Sequence, residues 1–144
     1  MDVLIVEPEK VPRMDRITGD LRSLQQVVGG CIEAVYPYDD PVAIVCNEEG
    51  KLIGLPLNRK LEDHDIIAGT FLVCGLSEDN FDSLTPELAE KYRVKFAHPE
   101  ILMKLGSHIF AIPVKAGDGL DELIQPGNRE IESIISGNGG VKLK

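Results

Sequence analysis

CIEAVYPYDDPVAIVCNEEGKLIGL (residues 31–55) carries the plainest β-sheet signal in the chain. From Cys31 to Tyr38 the side chains alternate with period two, placing Ile32, Ala34 and Tyr36 on one face and Cys31, Glu33 and Val35 on the other. Asp39-Asp40-Pro41 supplies turn chemistry, and VAIVCN (42–47) is apolar almost throughout, as a central strand requires. Glu48-Glu49-Gly50-Lys51 predicts a tight hairpin with Gly50 at positive φ, and KLIGL (51–55) predicts the returning strand. Connections this short join antiparallel neighbours, because parallel ones need a crossover of roughly a dozen residues or more.

Outward from this stretch, DVLIVE (2–7) and VPRMDRI (11–17) predict a second hairpin, broken at Pro8. Asp20 stands where a helix N-cap belongs, Leu21, Leu24, Val27 and Val28 follow at helical spacing, and Gly29-Gly30 end the helix. Downstream, a polar stretch LNRKLEDHD (57–65) leads into a strand, IIAGTFLVCG (66–75), interrupted by Gly69. Thr85 and Pro86 predict the N-cap and first position of a helix through PELAEKYRVKF (86–96). Beyond it, EILMKLG (100–106) predicts a short helix and HIFAIPV (108–114) a strand. LDELI (120–124) and NREIESII (128–135) predict further short helices, and SGNGGVKLK (136–144) a frayed tail.

The expected fold is α+β: a mostly antiparallel sheet from residues 2–7, 11–17, 31–38, 42–47, 51–55 and 66–75, with helix 21–28 on one face and short C-terminal helices. Leu24, Val28, Ile44, Cys46, Phe71 and Val73 are expected in one buried cluster. Residues 1–96 form the domain, and 97–144 an extension packed on it.

Composition excludes more than it identifies. Of 144 residues, 15 are Lys or Arg and 24 are Asp or Glu, a net charge of −9, which argues against direct nucleic-acid binding through phosphates. No apolar run reaches the roughly 20 residues of a membrane span, and no basic region precedes an apolar core at the N-terminus, so a cytoplasmic protein is expected. Cys31, Cys46 and Cys74 lie in apolar, strand-like runs and read as small buried hydrophobes. They share no metal-ligand spacing with one another or with His64, His98 and His108, so neither a metal nor a cofactor is expected. Phosphate-loop, dinucleotide-binding and nucleophile-elbow motifs are all absent, which leaves no catalytic residue to name.

Four residues remain as candidates for a ligand site. Asn58 and Arg59 follow the Pro56 turn between two strand-like segments. Arg offers a planar fork for phosphate or carboxylate, and Asn both a donor and an acceptor. The alternative is a surface ion pair of Arg59 with Glu62 or Asp63, worth about 0–1 kcal/mol. Asn47 belongs to a turn whose carboxylates, Glu48 and Glu49, are expected to be solvated. Tyr36, like Tyr38 and Phe71, is a strand aromatic suited to stacking or to packing.

The run VVGGCIEAVYPYDDPVAIVCNEEGKLIGLPLNRKL (27–61) followed by DIIAGTFLVCG (65–75) resembles the family catalogued as domain of unknown function 3846, over about residues 1–96. The resemblance rests on Gly29 to Glu33, Asn47 to Lys51, Gly54 to Arg59 and Ile67 to Thr70 together. It implies an association with phages and mobile elements and assigns no catalytic residue. The expectation is a non-enzymatic binding protein, homo-oligomeric, taking a small anionic and nucleotide-derived ligand and counteracting host defence. The alternatives are an acidic protein-interaction module that binds a host protein or mimics nucleic acid, and an unrecognised hydrolase.

Overall fold

The computed structural model describes residues 1–61, 65–78, 80–105, 108–113 and 141–142. Three apolar strands form the centre: β1 (Asp2–Val6), β4 (Val42–Asn47) and β7 (Phe71–Ser77). β2 (Arg13–Arg16) and β3 (Ile32–Val35) flank them in the order β2-β1-β7-β4-β3, and β8 (Asn80–Asp82) pairs with β7; every pairing is antiparallel. The register sets Leu4 and Ile44 on either side of Val73, and Ile5 and Val45 on either side of Leu72. Neighbouring rows point to opposite faces of a sheet, so both faces are apolar and both need cover.

Two helices and a ribbon supply it. α1 (Leu21–Val28) buries Leu24 and Val28 against Val3, Ile5, Val45 and Leu72. The opposite face carries Leu4, Ile44, Phe71 and Val73. It is covered by Tyr92 of α2 (Pro86–Lys95), the adjacent Phe96, Leu61 of β5 (Leu57–Leu61) and Ile67 of β6 (Asp65–Ala68). The six predicted core residues are all buried, but in two clusters: Leu24 and Val28 lie on one face, and Ile44, Cys46, Phe71 and Val73 on the other.

Local signals placed the helix ends correctly. Asp20 accepts from the Ser23 N–H at 2.9 Å, and Gly29 closes α1 at φ 78° with its N–H on the Gln25 carbonyl at 2.8 Å. Thr85 caps α2 through the Leu88 N–H, with Pro86 in the first turn. Across the sheet, Asp40 accepts from Lys91 at 2.6 Å and from the Tyr92 hydroxyl at 2.7 Å, tying α2 to the β3–β4 connection.

Several segments differ from expectation. Residues 51–54 form turns instead of a strand; the Ile53 N–H reaches the Glu49 carbonyl and the Leu55 N–H that of Gly50. Gly50 is not at positive φ. Its lack of a side chain admits the Ala68 carbonyl, which would stand 2.6 Å from an added Cβ. The polar 57–61 stretch is β5, paired with β6 in a separate two-stranded ribbon. The interruption expected at Gly69 is present: residues 66–75 are divided there between β6 and β7, and a φ of 84° bends the chain. Tyr36 and Tyr38 lie beyond the end of β3, and Cys31 is exposed just before it.

The expected helix at 100–106 is a strand, β9 (Glu100–Leu105). β10 (His108–Pro113) pairs with it over six positions, and β11 (Val141–Lys142), within the expected frayed tail, pairs with β10. In β9 Ile101, Met103 and Leu105 recur at every second position, which suits a strand once a partner exists. The helices expected at 120–124 and 128–135 lie outside the described residues.

Two outcomes follow from this packing. Ile44→Ala should cost about 2–5 kcal/mol in a urea melt, since Ile44 is fully buried between two strands and under α2. Hydrogen bonds from Lys91 and Tyr92 hold the Asp40 carboxyl below its ordinary pKa. Its stabilising contribution is therefore present above the unfolded-state pKa, near 3.8, and is lost as pH falls through the lower folded value. Asp40→Asn should lower Tm at pH 7, and the gap to wild type should narrow as the pH falls below the unfolded-state pKa and the folded-state carboxylate is protonated.

Candidate functional site

The structure takes Asn58 and Arg59 off the surface. Asn58 is 0% and Arg59 1% exposed, although they occupy adjacent positions in β5. Asn58 Nδ2 donates to the carbonyls of Val6 at 2.8 Å and Gly69 at 2.9 Å, joining the end of β1 to the β6–β7 bend. Its Oδ1 accepts from one terminal nitrogen of Arg59 at 2.8 Å. The other terminal nitrogen donates to the carbonyls of Lys10 at 2.7 Å and Phe96 at 3.1 Å, the latter at the C-cap of α2.

Burial pulls the Arg59 guanidinium down to about 10, while the Glu100 carboxylate nearby works the other way, so the charge persists at pH 7. Glu100 accepts from the Lys60 N–H at 3.1 Å, and burial raises its own pKa. Both terminal nitrogens of Arg59 are thus committed to protein oxygens. Its expected surface partners, Glu62 and Asp63, lie outside the described residues.

Tyr36 and Asn47 meet elsewhere, along a groove of about 590 Å³ between the β3–β4 hairpin, the Gly50–Leu52 turn and β6. Tyr36 (60% exposed), Leu52 (88% exposed) and Ile66 provide its apolar walls. Glu33, Glu48 and Asp65 supply carboxylates, and Lys51 pairs with Asp65. Asn47 itself is already engaged: its Nδ2 donates to the Val28 carbonyl at 3.2 Å and its Oδ1 accepts from the Glu49 N–H at 2.8 Å. It holds the end of α1 to the turn after β4, which leaves Tyr36 as the predicted residue most open to a ligand. Leu52 and Ile66 escaped notice because both sat in segments expected to be ordinary strands.

Cys46 also lines the groove. Burial first, then Glu33 and Asp65, push its thiol up to about 11, so it is not a thiolate at neutral pH and is a poor nucleophile. A second cleft, about 580 Å³, lies beside the start of α1 and includes Arg13, Arg16 and Arg22. Arg13 is paired with Glu7 and Asp15, and Arg16 with Asp2. Among the described residues, no group of three or more His, Cys, Asp or Glu side chains is placed to hold a metal ion. Nor is any helix there long and apolar enough to cross a membrane.

Arg59→Met should test whether the buried network is structural. It strands the buried Phe96 carbonyl and Asn58 Oδ1, at about 1–3 kcal/mol each, and frees the partly buried Lys10 carbonyl, so a loss of about 2 kcal/mol or more is expected in urea denaturation. A loss below about 1 kcal/mol would mean these bonds do not hold the elements together.

No curated protein and no solved structure matches the chain. A family model described as Domain of unknown function (DUF3846) matches residues 1–97, the segment that contains the main sheet, both helices and the whole Asn58–Arg59 network. By that match the chain belongs to the DUF3846 family.

Proposed function

We propose that this is a non-enzymatic binding protein that receives its ligand or partner in the groove beside β3 and β6. One observation carries this: apolar side chains, Tyr36 and Leu52, stand exposed at the mouth of a ligand-sized groove that is lined in part by residues of the paired strands β3, β4, β5 and β6. A rigid scaffold presenting exposed loop residues is the usual arrangement of a binding surface. The high thiol pKa of Cys46 supports binding over nucleophilic chemistry at this place.

A small anionic ligand, nucleotide-derived or otherwise, is the second reading. The groove disfavours it, since three carboxylates face one lysine there. The cleft beside α1 favours it, because Arg22 has no ion-pair partner among the described residues. A phage or mobile-element origin, a role against host defence, a cytoplasmic location and homo-oligomerisation remain parts of the proposal. They are carried by the family resemblance and the acidic composition.

The test is a fragment screen by ¹H–¹⁵N correlation spectroscopy, with adenosine monophosphate and a cyclic dinucleotide included. Fragments should shift the amides of Val35, Tyr36, Leu52 and Ile66–Ala68, and Leu52→Glu should abolish those shifts without altering Tm. Shifts scattered over the surface would overturn the groove. Nucleotide shifts confined to Arg13–Ser23 would move the site to the second cleft.

A further inference from the structure

β3 ends the main sheet and bonds only to β4 among the described residues. The Glu48 N–H donates to the Cys31 carbonyl at 2.8 Å, and in an antiparallel ladder such bonded positions recur every second residue. Glu33, opposite Cys46, and Val35, opposite Ile44, therefore turn their backbone groups toward β4. Ile32 and Ala34 turn theirs outward. The side chains of Glu33 and Val35 line the groove, so a strand laid along this edge would project every second side chain over it.

The two sheet edges are protected differently. β2, the opposite edge, is four exposed residues whose Arg13, Asp15 and Arg16 are all ion-paired, the kind of charged edge that resists pairing. β3 carries one charge, Glu33, and exposed apolar groups flank it at Tyr36 and Leu52.

We propose that the β3 edge and its groove accept an extended segment of another protein by strand addition, with basic residues at the alternate positions that face the groove. This rests on the groove being the binding surface. Charge selects the partner: Asp65 has Lys51, whereas Glu33 and Glu48 have no cation among the described residues. A lysine or arginine there lays its aliphatic stem on Tyr36 and Leu52 while its head reaches a carboxylate. Backbone bonds to Ile32 and Ala34 supply affinity that does not depend on sequence, and the alternate side chains supply selectivity. A second copy is the poorer occupant, since it brings the same unpaired glutamates and a net charge of −9 to a like-charged surface.

The probe is a fluorescein-labelled octapeptide of alternating lysine and valine, followed by fluorescence anisotropy on the full chain. Saturable binding is expected, weakening by about tenfold or more when glutamate replaces lysine, and again when the peptide is N-methylated at alternate residues. Glu33→Gln with Glu48→Gln should weaken the lysine peptide to a similar degree while leaving the melting curve unchanged. Ala34→Pro, which removes an outward N–H at an edge position, should do the same. Equal binding of the acidic, basic and N-methylated peptides, or no binding of any, overturns strand addition. If fragments still map to the groove in that case, the binding-surface reading survives; if they do not, both fall. Sedimentation showing a dimer that Ala34→Pro dissociates would assign the edge to a second copy and overturn the proposal.

Discussion

A charged guanidinium sealed inside a small protein constrains everything around it. An unpaired buried ion costs several kcal/mol, so Arg59 is tolerable only where oxygen acceptors converge. The convergence is assembled from four parts of the chain: the segment after β1 gives the Lys10 carbonyl, the α2 cap gives Phe96, and Asn58 bridges to Val6 and Gly69. All the acceptors but Asn58 are backbone oxygens, so the network fixes chain path as well as side-chain position. If the β5–β6 ribbon moved, four carbonyls and a cation would lose partners together.

The sheet makes that network necessary. Because β1, β4 and β7 are apolar on both faces, one helix cannot cover them. α1 closes one face. The other is closed by α2 and by the ribbon, whose inward surface combines Leu61 and Ile67 with the polar pair at Asn58 and Arg59. Aromatic contacts strengthen the α2 side: Tyr38 and Tyr92 have ring centres 5.2 Å apart, and Phe71 meets Phe96 edge-on at 5.3 Å. The ribbon leaves the β3 side of this face only partly covered, and the groove lies there. Its acidic rim is thus a consequence of where the ribbon docks, held in place by residues that never touch solvent.

Much of the fold was legible because its causes are local. Asp20 with Gly29, and Thr85 with Pro86, act within a few residues of themselves, and the helices begin and end where those side chains dictate. The 31–47 hairpin was equally clear, since period-two alternation and a short turn leave one antiparallel solution. Residues 100–105 were not clear. An apolar pattern of that length fits a helix or a strand until a partner such as β10 is present.

Asn58 and Arg59 mark where local reasoning stopped. Their residue types spoke for polar recognition, and that is what they perform, but on carbonyls 11 to 52 residues away in the chain from Asn58 and 37 to 49 from Arg59. Local patterns in the chain were enough for the α+β class, the ends of α1 and α2, the 2–17 and 31–47 hairpins and the acidic charge balance. The tertiary structure alone decided that the sheet has two covered faces, that the most polar-looking pair lies inside, and that Tyr36 and Leu52 flank a groove. The reason is physical: caps and turns are settled by neighbours in sequence, whereas burial is settled by which distant surfaces come to exclude water together.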